Sequence, residues 1–252
     1  MAWVLLPVGL IATIVTTIYV KRDVEADAKR EFDFTCIQIQ LMIDARMDSY
    51  AQILTIATAF FDASDEVTRE EWHNFTMQQK LEQRLPGVQG IGFSLMIPRD
   101  RLEQHIQEIR SQGFPDYNVK PEGDREIYTS IIYLEPFSER NLRAFGYDMF
   151  SEPVRRMAME RAMDLNVATL SGKVILVQET DQEVQAGTLM YVPVYRKGMS
   201  TETVADRRAA LYGWVYSPYR MNDLMQGILK GWDIEINPVK KKKKTGFLKK
   251  LW

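Results

Sequence analysis

Three acids stand in mixed apolar segments where a carboxylate could do chemistry: Glu135 in YLEP, Asp148 in GYDMFS and Glu179 in VQET. Two carboxylates held close together can divide acid and base duties, one protonated and one ionised. They therefore define a candidate hydrolytic pair. Other catalytic patterns are missing from the sequence: no phosphate-binding G-x-x-x-x-G-K-[ST] loop, no G-x-S-x-G elbow, no G-x-G-x-x-G after a strand. The two histidines, His73 and His105, are far apart and in neither metalloprotease spacing. His105 shares a helical stripe with Leu102 and Ile109 and is expected as a partly buried surface residue. Cys36 is the single cysteine, so no intrachain disulfide and no thiol-built zinc cluster is possible. No metal and no cofactor is expected. Asn74-Phe75-Thr76 matches a glycosylation sequon, a pattern that chance often produces. Catalysis is the poorer hypothesis for this chain, and binding the better one.

Asp148 is the most telling of the acids. It sits in NLRAFGYDMFSEPVRR among Phe145, Tyr147, Met149 and Phe150, and a carboxylate among such neighbours is costly to bury without hydrogen bonds. Two roles are open to it. It can hold backbone N–H groups in the turn before a helix, or it can line a pocket and accept hydrogen bonds from a ligand.

The elements that must position these residues fall into unlike parts. Ala2 to Val20 carries no charge and is followed by Lys21-Arg22. As a helix it would span roughly 29 Å, close to the hydrocarbon thickness of a bilayer, with Trp3 and Tyr19 near its ends. Residues 1–21 are therefore expected to form a transmembrane helix. Residues 22–62 follow as a stalk helix, with Phe32, Cys36, Ile39, Ile43, Met47, Tyr50, Leu54, Ala57 and Phe61 spaced by threes and fours. Its membrane-proximal half is expected to pair with a second copy through Cys36, Ile39 and Ile43, and its distal half to pack on the body. Seven lysines crowd the last thirteen residues, 240–252. Setting them aside leaves 25 basic against 34 acidic residues, a balance of −9 that does not suit nucleic acid.

Between stalk and tail the pattern is helices followed by runs of strands, which points to an α+β domain with antiparallel sheet. Helices are expected over 69–85, from an Asp100–Glu103 capping box to Gly113, after a Ser151 cap, and over 219–229. In the third of these, Val154, Met157, Ala158, Ala162 and Leu165 should face inward. Strands are expected over 90–98, 126–136, 173–179, 187–195, 209–217 and 233–236.

The stretch from Leu85 to Leu229 resembles the CHASE domain, the extracytoplasmic sensory module of histidine kinases, diguanylate cyclases and adenylate cyclases, including plant cytokinin receptors. The segments that carry the resemblance are LPGVQGIGF (85–93), YLEPFSERNLRAFGYDMFSEPVRRMAMERA (133–162), VILVQET (174–180) and YVPVY (191–195). It implies a transmembrane anchor and a stalk helix, then tandem PAS-like subdomains with antiparallel sheets over 63–236, and a lysine-rich tail over 237–252. It implies a small-molecule ligand, and a body that is periplasmic or extracellular on a single-pass inner-membrane protein. That outweighs Lys21-Arg22, whose slight charge bias would place the body in the cytoplasm. Asp148 stands where family receptors bind their ligand, and by the same spacing Leu170 and Thr180 match an apolar and a polar pocket position. Tyr133, opening the YLEP motif, is placed with them. The family normally continues into a second membrane span and a cytoplasmic kinase or cyclase. Neither follows IEINP here, so no catalytic output module is expected in these residues. The alternative is a membrane-anchored periplasmic enzyme using a carboxylate pair.

Overall fold

The computed structural model describes residues 2–80, 88–179 and 184–229, apart from the side chains of residues 2–6 and 139. Helix α1 (Ala2–Ala63) runs without interruption through both the expected span and the stalk. At 62 residues it is about 93 Å long. Among the described residues no helix is long and apolar enough to cross a membrane. The expected span takes in residues 1–6, whose side chains lie outside the described ones. The distal half of α1 packs as expected: Tyr50, Leu54, Ala57 and Phe61 are buried in the body. Ile43 is half-buried against that same core, with Met42 and Met47. Of the expected seam residues, Cys36 is exposed and Ile43 already leans on the body.

Helix α2 (Arg69–Gln78) begins at a capping box in which Thr68 and Glu71 satisfy each other's backbone N–H groups. Strand β1 (Ile91–Pro98) leads through a 3-10 turn, Arg99–Arg101, into α3 (Leu102–Ser111). The capping box expected at Asp100 does not form. The turn satisfies the Leu102 N–H with the Arg99 carbonyl, and no side chain caps Arg101. Then come β2 (Ile127–Glu135), α4 (Glu139–Leu142), a 3-10 turn (Met149–Ser151), α5 (Pro153–Leu165) and β3 (Thr169–Leu170). The chain closes with β4 (Gly187–Tyr195), α6 (Val204–Ala210), β5 (Leu211–Arg220) and α7 (Met221–Leu229).

The strands form one five-stranded antiparallel sheet in the order β2-β1-β5-β4-β3. The described residues hold this one sheet where the resemblance implies two in tandem. Residues 173–179, expected as a strand, are not one. Val174 makes a single bridge to Gly187, and only Thr169 and Leu170 join the sheet edge. The chain leaves that edge at Ser171, whose hydroxyl accepts the Leu189 N–H at 3.0 Å. Helix α6 lies where a loop and a strand start were expected, capped by Thr203 with Asp206. The strand expected over 233–236 and the lysine tail lie outside the described residues.

The sheet divides the interior in two. On one face α1, α2 and α3 cover Phe93, Tyr128, Ile132, Met190, Val192, Val215 and Tyr219. On the other, α5 covers Ile131, Leu189, Tyr191, Trp214 and Tyr216. This alternation is the period of two that strands impose on their side chains. Helix α5 meets the sheet in a different register from the one expected. Arg155, Ala158, Met159, Ala162 and Met163 face inward, while Met157 is 67% and Leu165 55% exposed.

Candidate functional site

Strand β2 is an edge strand, and its outward N–H groups need partners. The turn at 144–148 supplies them. Ile131 N donates to the Tyr147 carbonyl at 3.3 Å, and Gly146 N donates to the Ile131 carbonyl at 3.0 Å. Two residues along, the partner is a side chain: Asp148 Oδ1 accepts from Thr129 N at 2.9 Å and from Thr129 Oγ1 at 2.8 Å. The same oxygen accepts Phe150 N at 3.0 Å. Gly146 makes the turn possible. Its φ is +81°, and a Cβ there would run into the Asn118 carbonyl.

Asp148 is fully buried. Its second oxygen faces Arg125 Nε at 2.9 Å, within ion-pair distance, but the N–H is aimed off the carboxylate and neither atom gains a well-formed hydrogen bond. Arg125 itself lies over the Tyr128 ring at 4.8 Å and donates to the Pro121 carbonyl. The carboxylate is thus partnered by its own chain, in the manner of a turn staple.

Directly after Asp148, Met149 enters the compartment between the sheet and α5. There the Tyr191 hydroxyl donates to Met149 Sδ at 3.5 Å, a weak partner. The Tyr216 hydroxyl is buried and has no hydrogen-bond partner among the described residues. The two rings lie 6.3 Å apart. Tyr216 has room for its ring because its cross-strand neighbour is Gly92, where a Cβ would come within 2.6 Å of it. From α5, Arg155 enters the same compartment at 4% exposure. Its Nη2 donates to the Ile175 carbonyl at 2.7 Å and its Nη1 to the Tyr147 hydroxyl at 3.2 Å. Glu152 stands 3.7 Å from it, with both carboxylate oxygens engaged in capping α5 at Val154 N and Arg155 N. Burial raises the phenols of Tyr191 and Tyr216 well above the usual range, while the Arg155 charge pulls both back down. The two phenols stay protonated here. Among the described residues, the arrangement contains no nucleophile with a base beside it.

The sequence-based site residues are not brought together. Tyr133 packs on the α1–α2 side of the sheet, and its hydroxyl donates to the Val67 carbonyl at 2.7 Å. Leu170 pairs with Met190 at the opposite sheet edge and is 41% exposed. Thr180 lies outside the described residues. Nor do the three acids form a pair. Glu135 is 3.1 Å from His73 Nδ1, Asp148 faces Arg125, and Glu179 is clasped by Arg140 and Arg220, each at 2.9 Å. The carboxylate-pair reading is corrected on that ground, because each acid has its own cationic or imidazole neighbour. Among the described residues no group of three or more His, Cys, Asp or Glu side chains could hold a metal ion. His105 is more buried than expected, with Nε2 2.8 Å from the Tyr117 hydroxyl.

Sequence reasoning missed Tyr216, Tyr191 and Arg155 as site residues. Tyr191 and Tyr216 share the inward period of strands β4 and β5, which reads as ordinary core. An arginine on a helix reads as solvent-facing. The one available signal was Gly92 in GIGF, a glycine inside a strand, which marks a close approach.

Together, a long N-terminal helix and a five-stranded antiparallel sheet packed by helices on both faces define an α+β domain. A family model described as the CHASE domain matches residues 65–245, and the chain belongs to that family. No curated protein matches it.

Proposed function

We propose that this chain is the sensing part of a membrane-anchored signalling protein and binds a small molecule between its sheet and α5. Membership of the CHASE family supports an extracytoplasmic sensory role. The observation that carries the ligand reading is the Tyr216 hydroxyl, fully buried beside Tyr191 and Arg155 without a partner. Buried polar groups in native proteins are almost always paired, and an orphan at the heart of a binding domain calls for an occupant. A thermal-shift screen of small molecules on the full chain in detergent tests it. A ligand that binds only the native state raises the melting temperature and is not turned over. Silence across all chemical classes refutes the reading.

The anchor belongs to the same proposal. Val8, Leu10, Ile11, Ile14, Val15 and Ile18 are all exposed, and no charged residue precedes Lys21 in α1, which suits lipid and not water. The Thr13, Thr16 and Thr17 hydroxyls each donate to the carbonyl four residues earlier, at 2.7–2.9 Å, so none asks for a water partner. The body then lies in the periplasm or outside the cell. A reporter fused after Leu229 that works only in the cytoplasm would reverse this. The stalk pairs with a second copy through the part of α1 that the body leaves uncovered, where Phe32 and Cys36 are exposed.

A further inference from the structure

We infer that the domain carries a proton-sensitive catch: His105 holds the loop 113–120 down on β2 while its ring is neutral, and protonation of that ring lets the loop open. Acid thereby becomes an input to the domain in its own right. The catch lies on the side of the sheet that α1, α2 and α3 cover, and it is independent of the ligand reading above.

His105 lies on the inner face of α3 with Ile106 and Ile109, and only 6% of it is exposed. Its Nε2 is 2.8 Å from the Tyr117 hydroxyl, and that hydroxyl also hydrogen-bonds Ser130 Oγ of β2. Tyr117 and Ser130 are both buried. One phenol therefore fastens helix, loop and strand together. Elsewhere single bonds hold the loop. Arg110 Nε donates to the Tyr117 carbonyl at 3.0 Å, and Lys120 N donates to the Gly146 carbonyl at 2.9 Å. Phe114 and Tyr117 rest on the Phe145 ring, with centroids 5.0 and 4.9 Å away. The loop thus leans on the turn that shields the edge of β2, and opening it loosens that turn as well. Segments with few regular backbone bonds open locally at less cost than the core of a sheet.

The groups around His105 do little to support a positive ring. Tyr117 from the loop stays neutral, its phenol pushed up to about 12 by burial, and Ser130 from β2 carries no charge. Arg69 from α2 is close enough to act on Tyr117 and is itself positive. Strand β1 has no titratable side chain. On α3, Arg110 is turned to the Tyr117 carbonyl, and Glu108 is the acid that favours a charged ring. Glu108 is exposed and already accepts a hydrogen bond from Gln104, and Asp116 in the loop is exposed as well. Burial wins. It lowers the pKa of the closed ring to about 4, whereas an imidazole in water titrates near 6.5. Once the loop opens and the ring meets water, protonation traps the open form. The ratio of open to closed should grow about twentyfold from pH 7 to pH 5, and about fivefold more by pH 4, where the closed form begins to bind the proton too.

Amide hydrogen exchange of the full chain in detergent tests this, followed by peptide mass spectrometry from pH 7 to pH 5 and corrected for the intrinsic pH dependence of exchange. Peptides covering 113–120 and 144–148 should lose about twentyfold in protection, while β4 and β5 keep theirs. The chain has only two histidines, His73 and His105, so each can be tested in turn. His105→Gln keeps an N–H toward Tyr117 and cannot titrate, and should abolish the loss. His73→Gln should leave it unchanged. Where His105→Gln fails to fold, the parent and His73→Gln still decide the matter. A loss that persists in folded His105→Gln, or that vanishes in His73→Gln, would overturn the catch. Protection that ignores pH would overturn it too, as would a loss shared equally by β4 and β5, which would mark global unfolding.

Discussion

Replacing Asp148 by alanine removes a carboxylate that substitutes for a neighbouring strand. Thr129 N–H, on the free edge of β2, loses its acceptor, whereas Phe150 N–H keeps a second one, Thr129 Oγ1 at 3.2 Å. One stranded buried N–H costs about 1–3 kcal/mol. Arg125 also loses its counter-charge. Breaking a buried pair from one side costs about 3–5 kcal/mol, but Arg125 is 23% exposed and can rehydrate, which draws the figure to the lower end. The two contributions overlap, so a total near 3–4 kcal/mol is expected, or a melting point lower by about 10 °C for a domain of this size. Asp148→Asn keeps an acceptor at Oδ1 and loses only the charge, and should fall by about a third to a half as much. Scanning calorimetry of the empty protein in detergent measures both. An Asp148→Ala protein that melts within 2 °C of the parent would refute the reasoning, because a hydrated, unused carboxylate behaves that way. In the double variant with Arg125→Gln the losses should fall short of additivity, since the two side chains face each other.

His105 predicts an acid-sensitive fold. Burial pushes its pKa down to about 4, partly opposed by Glu108, whereas the unfolded imidazole protonates near 6.5. Stability should therefore be full above pH 6.5, fall by about 3 kcal/mol between there and pH 4, and level off below, and His105→Phe should flatten that slope. Gly92→Ala should destabilise the protein by about 1–3 kcal/mol, because the new methyl meets the Tyr216 ring at 2.6 Å and the Tyr133 carbonyl at 2.7 Å. The companion change Tyr216→Ala should rescue part of it, and no rescue would mean that the backbone carbonyl is the obstacle. Cys36 is exposed on the uncovered part of α1, so mild oxidation in the membrane should yield a covalent dimer on a non-reducing gel. A band that stays monomeric would count against pairing in that register.

What could be read in advance was whatever periodicity dictates. The spacing from Met47 to Phe61 announced a helix face that packs, and the apolar, β-branched and aromatic runs GIGFSLMIP, EIYTSIIYLEP and GTLMYVPVY announced strands. Each of these faces is committed by its own residues, and tertiary context only had to accept it. Failure came where context overrides local chemistry. KVILVQE has the composition of a strand, yet Ser171 takes up the Leu189 N–H that would extend the ladder, and the segment bridges to a strand's backbone only at Val174. In α5 the apolar count favoured burying Met157. The helix instead enters from a Glu152 cap with Pro153 in its first turn, and that phase turns Arg155 inward.

The site was harder to read than the fold for a related reason. A binding compartment is a place where the usual rule, polar outside and apolar inside, is broken, and a single sequence does not show where. Asp148 could be read either as a turn staple or as a ligand acceptor, and the structure gives it to β2 as an edge partner. Tyr216 looked like core because it is aromatic and in phase, and the structure leaves its hydroxyl stranded there. The two are nonetheless mechanically close. The turn that Asp148 closes carries Phe145, whose ring lies 5.3 Å under the Arg69 guanidinium at the start of α2. Arg69 Nη1 in turn holds the carbonyl of Ile132, the extra residue of the β1–β2 bulge, at 2.8 Å. One arginine thus ties the start of α2 both to the edge strand and to the turn that Asp148 closes. The joining contacts are an aromatic ring and a bulge carbonyl, neither of which advertises itself in the sequence.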